Sequence, residues 1–167
     1  MNRKRYLNPG EMFFGANCQV ETLLGSCVAI TLWFPNVAKG GMCHFVLAER
    51  QRDLNLHSRD LDGRYGREAW LWLRQQSLAH GLAIEEAQIK LFGGSKVLPL
   101  AETGLGMDVG QRNIALANCC LREAGLQASP GDVGGSGHRR VRFDLHTGDV
   151  WVRRGATLDR SPFQEAS

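Results

Sequence analysis

Long apolar runs are missing from this chain. None approaches the roughly 18 residues needed to cross a bilayer, so no membrane insertion is expected. The N-terminus, MNRKRYLNPGEMFFGANC, starts basic but has no apolar segment behind it, which argues against a secretory leader and makes the cytoplasm the expected compartment. An excess of one charge is also lacking: a formal net charge of +3 over 167 residues is too mild to point to nucleic acid. The densest basic cluster, 138-HRRVR-142, followed by 153-RR-154, reads as the solvated face of a sheet, with an acidic partner surface as its other use. Cys-x-x-Cys spacing is absent from the five cysteines, Cys18, Cys27, Cys43, Cys119 and Cys120, and their number is odd. Neither a zinc site nor a disulfide framework is expected from that set. There is no internal repeat, linker or low-complexity segment.

What is present suits one globular domain: 43% hydrophobic and 22% charged residues in a chain long enough for a single core. Residues 1–17 read as an irregular lead-in with a turn at Asn8-Pro9-Gly10, and the core as about 18–155. Strands are expected at 19–24, 28-VAITLWF-34, 41-GMCHFVLA-48, 88-QIKLF-92, 141-VRFDL-145 and 150-VWVRR-154. Helices are expected at 65–81, with Trp70, Leu73 and Leu78 inward, and at 110–125, with Ile114, Ala117, Cys120, Leu121 and Ala124 inward. Residues 50–63 read as a polar loop, 131–140 as a Gly-rich loop, and the last residues as frayed. The fold class is therefore α/β: a single domain, with a mixed β-sheet layered with two main helices.

Chemistry centres on 22-TLLGSCVAIT-31. Free cysteine is usually a small buried hydrophobe, and a nucleophilic one needs a base, because a thiol of pKa about 8.5 is mostly protonated at neutral pH. Of His44, His57, His80, His138 and His146, only His44 lies within an apolar strand. If the intervening turn is centred on the Pro35-Asn36 bond, paired residue numbers sum to 71 and Cys27 stands opposite His44. A two-residue change of register keeps the pair on one face, whereas a one-residue slip separates it. Cys43, next to His44, points to the other face and is excluded as nucleophile. Gly25-Ser26 permits a sharp turn before Cys27 that frees backbone N–H groups for a substrate oxygen. Thr22, Glu21 and Ser26 are equally near as a third group orienting the imidazole.

These residues resemble the CheD family of bacterial chemotaxis. The matching stretches are 22-TLLGSCVAI-30, 41-GMCHFVL-47, 63-GRYGREA-69, 90-KLFGGSKVL-98, 109-VGQRNI-114 and 132-DVGGSGHRRVRFDLHTGDVWVRR-154, in family order. The resemblance implies a three-layer α/β fold similar to that of cysteine-dependent toxin deamidases, and a Cys-His-Thr site with Cys27 as nucleophile, His44 as base and Thr22 as third member. It implies deamidation of glutamine side chains on the cytoplasmic helices of methyl-accepting chemotaxis receptors, and hydrolysis of glutamyl methyl esters by the same pair. No cofactor or metal is implied. It also implies contact with a CheC-type phosphatase, and the unbound state is expected to be a monomer. A binding adaptor without turnover is the alternative reading; a general cysteine amidase or protease is a second. The chain departs from the family pattern at two places: Ala48 follows Leu47 where proline is usual, and Ser95-Lys96 follow FGG where smaller apolar residues are common.

Overall fold

The computed structural model describes residues 3–51, 58–96, 107–155 and 163–166. Ten strands and two α-helices run in the order β1 (Arg3–Tyr6), β2 (Met12–Ala16), β3 (Cys18–Leu24), β4 (Val28–Phe34), β5 (Lys39–Cys43), α1 (Gly66–Ala79), β6 (Gln88–Gly93), α2 (Val109–Glu123), β7 (Ser129–Val133), β8 (Arg139–Asp144), β9 (Val150–Arg154) and β10 (Gln164–Glu165). The class is α/β with two helices, but there are two mixed sheets rather than one. Their strand orders are β1-β3-β8-β9-β10 and β2-β5-β4-β6-β7.

The three layers can be read from which side chains are buried together. β3 alternates strictly, with Cys18, Val20, Thr22 and Leu24 inward, so one of its faces is covered and the other is open to solvent. β4 is central in its sheet and covered on both faces. Its residues Val28, Ile30, Leu32 and Phe34 join a core made with Ala69, Trp70 and Leu73 of α1 and Leu116, Ala117 and Leu121 of α2. Ala29 faces the other way, into a core built with Val20, Met42, Phe92, Val141, Phe143 and Val152 from both sheets. The sheets therefore stack on each other, and the helices cover the far side of the second sheet.

Several sequence readings change. The described part of the lead-in, 3–17, is not irregular: β1 pairs in parallel with β3, and β2 pairs with β5. The chain end is not simply frayed, since β10 pairs with β9 and Phe163 lies between the guanidinium groups of Arg142 and Arg153. The Gly-rich stretch begins as β7, an edge strand that tolerates Pro130. In α1 the inward row is Trp70, Leu73 and Ser77, and Leu78 is 77% exposed, because position 77 rather than 78 completes the helical stripe. The hairpin register differs as well. Its turn spans the four residues 35–38, with Ala38 at φ 49°, so paired numbers sum to 73, as in Thr31 with Met42. Among the described residues, no helix is long and apolar enough to cross a membrane.

Candidate active site

The register shift decides how Cys27 and His44 meet. β4 and β5 remain in step through the bridge of Val28 to Phe45, where both backbone bonds are exchanged, at 3.1 and 2.9 Å. Continued one residue further, that register sets Cys27 opposite Val46 and His44 opposite Ala29. Cys27 and His44 are thus diagonal on one face, the face toward the other sheet. Cys27 packs against the core between the sheets, whereas Cys43 belongs to the core beneath the helices. A diagonal pair has Cβ atoms about 7–8 Å apart, and no hydrogen bond joins Cys27 to His44. Among the described histidines only His44 is buried. His57 lies outside the described residues.

His44 is held by residues far away in sequence. The Thr22 hydroxyl lies 2.6 Å from His44 Nδ1 and donates to the Leu7 carbonyl at 2.7 Å. Its single proton is therefore used, so it accepts from Nδ1–H, and the imidazole carries its proton on Nδ1. Nε2 is left with a free lone pair, buried and without a hydrogen-bond partner. The backbone around the ring is strapped by the 7–11 loop: Gly10 N donates to the His44 carbonyl at 2.7 Å, and His44 N donates to the Glu11 carbonyl at 3.2 Å. Thr22 was detectable as the one polar member of the inward row of β3. Glu21 points outward and pairs with Arg142 at 2.8 Å, and Ser26 makes its contact through its carbonyl. Leu7 and the strap carried no sequence signal beyond the turn at Asn8-Pro9-Gly10.

Burial sets the protonation states. It lowers the pKa of His44 to about 4, against the smaller opposing effects of the Leu7 carbonyl and Glu11. It also pushes the Cys27 thiol up, an effect partly offset by its own backbone N–H. The resting pair is thus a thiol beside a neutral imidazole. The His44 shift has a stability consequence. Between about pH 6.5 and pH 4 the unfolded chain binds a proton at this position that the folded chain refuses, so stability rises with pH across that window. Lowering the pH from 7 to 4 should cost about 3 kcal/mol through this group alone. Urea melts of wild type and His44→Gln over that range should diverge by that amount; parallel curves would refute it.

The nucleophile turn is fixed through its carbonyls. Ser95 N donates to Gly25 O at 2.9 Å, Gly94 N to Cys27 O at 2.8 Å, and Asn113 Nδ2 to Ser26 O at 3.0 Å. This explains the FGG and GQRN stretches physically. A Cβ on Gly93, whose φ is +99°, would lie 2.2 Å from the Cys27 carbonyl oxygen. Gly110 lets α2 approach the carbonyls of Gly94 and Ser95, and Asp108 and Gln111 form a reciprocal capping box at the helix start. Gly93→Ala should therefore lower Tm by about 5 °C or more, through steric clash and backbone strain together. A thermal melt within 2 °C of wild type, approximately, would refute this close approach.

Behind the turn lies Arg139, which is fully buried. Its guanidinium donates to Asp132 Oδ1 at 2.9 Å, to the Asp132 carbonyl at 2.6 Å and to Ser95 Oγ at 2.6 Å, and it also reaches the Gly134 carbonyl. The reading of 138-HRRVR-142 as a solvated face thus fails at Arg139. The strand alternates, so Arg140 and Arg142 face out while Arg139 and Val141 face in. Among the described residues, no group of three or more His, Cys, Asp or Glu could hold a metal ion.

A model of the CheD family, described as CheD chemotactic sensory transduction, matches residues 47–154. The chain belongs to the CheD family. The matched stretch takes in the GRYGREA, FGG, GQRN and Gly-rich segments and begins just past His44. Among CheD relatives, a probable chemoreceptor glutamine deamidase CheD 3 of Dechloromonas aromatica is 47% identical over 148 residues, covering 88% of this chain and 85% of its own. A probable chemoreceptor glutamine deamidase CheD 1 of Chromobacterium violaceum is 41% identical over 160 residues, covering 94% and 81%. A third, from Pseudomonas syringae pv. syringae, is 43% identical over 149 residues, covering 88% and 82%.

Proposed function

We propose that this CheD-family protein is a chemoreceptor glutamine deamidase, with Cys27 as nucleophile, His44 as general base and acid, and Thr22 as the group that orients His44. The observation that carries the reading is the Leu7–Thr22–His44 chain of hydrogen bonds. It fixes the imidazole as the Nδ1–H tautomer and leaves Nε2 free on the face that Cys27 shares. The names of the relatives support the substrate class.

The steps follow from the protonation states. With the thiol neutral at rest, Nε2 takes its proton as sulfur attacks the carboxamide carbon, so proton transfer accompanies bond formation. The carbonyl π-electrons move to oxygen, where backbone N–H groups of the Gly25–Cys27 turn receive the charge. The tetrahedral species collapses, the C–N bond breaks, and the imidazolium gives its proton to the departing ammonia. Water then enters. Nε2 takes one of its protons while its oxygen attacks the thioester, and collapse expels the Cys27 sulfur, which recovers the proton. The products are glutamate and ammonia. Glutamyl methyl esters fit the same cycle with methanol leaving. The receptor helices that carry the glutamines put the reaction in the cytoplasm. A CheC-type phosphatase as second partner, which rests on the family resemblance, and a monomeric unbound state are the finer parts of the reading.

Mass spectrometry of a receptor cytoplasmic fragment tests the assignment. Wild type should add about one mass unit per converted glutamine, through the NH₂-to-OH exchange that amide hydrolysis entails. Thr22→Val should slow conversion on the order of 10- to 100-fold, and Thr22→Ser should restore most of it. The loss stays below the roughly 10⁴-fold effect of disabling a triad's orienting residue, because the Leu7 carbonyl still faces the ring. A Thr22→Val enzyme as fast as wild type would remove Thr22 from the mechanism.

A further inference from the structure

Asn113 joins the two halves of the site from the opposite side of the sheet. It is fully buried on α2, and its Nδ2 donates to the carbonyls of Ser26, at 3.0 Å, and Val46, at 2.9 Å. Ser26 immediately precedes Cys27, and Val46 lies two residues past His44. The β4–β5 ladder has ended here, since the N–H groups of Val46 and Leu47 both turn to the Arg64 carbonyl. The Asn113 amide replaces the lost cross-strand bonds.

The anchoring fixes more than position. All described peptide bonds are trans, so the Cys27 N–H points opposite to the Ser26 carbonyl in the same peptide plane. With that carbonyl held on the α2 side, the N–H is turned away from Asn113. It donates to no other described residue, and it belongs to the same residue as the reacting sulfur. The neighbouring plane is held alike, through Ser95 N on the Gly25 carbonyl, so the Ser26 N–H is also oriented and unused. Asn113 meanwhile keeps its Oδ1 buried without a partner. An unpaired buried oxygen costs about 1–3 kcal/mol, which stability alone does not explain.

We infer that Asn113 is a positioning residue for the oxyanion site: by holding the Ser26 carbonyl, it aims the Cys27 N–H at the oxygen of the tetrahedral intermediate. The inference rests on the deamidase reading for its substrate but concerns any acyl transfer at Cys27. Its signature is selective. Attack on a carboxamide builds an oxyanion, whereas alkylation by iodoacetamide displaces iodide at a saturated carbon and builds none.

Asn113→Asp and Asn113→Ala test it on the full-length protein. Each should lower kcat for receptor deamidation by about a hundredfold with KM within about threefold. The rate of Cys27 alkylation should fall by no more than about fivefold, since Thr22 and the 7–11 strap still hold His44 when the Val46 contact is lost. In wild type labelled with ¹⁵N-cysteine, the Cys27 amide proton should shift downfield when a glutamine-like peptide aldehyde forms its hemithioacetal, and the shift should shrink in the variants. Deamidation and alkylation falling together, deamidation unchanged, no amide shift in wild type, or failure of both variants to fold would each overturn the inference. Wild type that shows the amide shift but leaves receptor glutamines unchanged would defeat the deamidase reading and leave the role of Asn113 standing.

Discussion

Cys27→Ala should lower receptor deamidation by at least about a thousandfold, because no other described thiol can take its place. Cys27 is partly exposed and lies on the face that carries the free Nε2 of His44. Cys43 is adjacent to His44 in sequence but wholly buried beneath the helices, where loss of hydration pushes its thiol up to about 12. Cys18 and Cys120 are buried too, and Cys119 lies on α2 beside Glu123. Cys43→Ala should therefore keep the full reaction, with a stability loss of about 1 kcal/mol for the lost sulfur contact. The check is conversion of receptor glutamines followed by mass, alongside binding of the same receptor fragment. Retained binding with lost conversion in Cys27→Ala separates a catalyst from an adaptor. Equal conversion by wild type and Cys27→Ala would end the thiol mechanism, and binding by wild type with no conversion would favour the adaptor.

The second large effect is on stability. Arg139→Met should destabilise the fold by about 3 kcal/mol or more, lowering Tm by about 6–12 °C. The guanidinium is completely buried and hydrogen-bonds Asp132, Gly134 and Ser95. Methionine fills part of the volume but leaves the Ser95 hydroxyl and the Gly134 carbonyl without this partner in a dry interior. Asp132 is spared the worst outcome, since it is partly exposed and also pairs with Arg154. Arg140→Ala offers the contrast. Its contact with Glu21 is long, at 3.9 Å, and solvated, so the change should cost less than about 1 kcal/mol. Calorimetry on the two variants decides it, and equal melting temperatures would return Arg139 to the solvated face. Because Ser95 also donates to the Gly25 carbonyl, Arg139→Met should slow deamidation even below its melting temperature.

Hydrophobic period and turn chemistry carried much of this structure in plain sequence. The limits of β4 agree to the residue with the run 28-VAITLWF-34, because a strand covered on both faces is a continuous apolar run bounded by turn residues. The positions of β3, β6, β8, β9 and both helices were legible for the same reason. So was the face shared by Cys27 and His44, since side-chain direction in a strand depends only on even and odd spacing, which survived the change of register from 71 to 73. Opposition across the hairpin did not survive, because the turn took four residues and left the pair diagonal.

What only tertiary structure decided are contacts between residues distant in the chain. The separation into two sheets was decided by partner choice, since β3 pairs with β8 while β4 pairs with β5 and β6. The choice of Thr22 over Glu21 required knowing that the even positions of β3 face the second sheet, and that Leu7 folds over them. Arg139 looked like one of a row of solvated arginines until the Gly-rich loop closed around it. Asn113, the clamp between nucleophile turn and base strand, lies 87 residues from Ser26 and 67 from Val46. Local sequence specifies direction and burial along each element. A hydrogen bond across such distances exists only once independent elements have packed, and it is there that the orientation of the Cys27–His44 site is set.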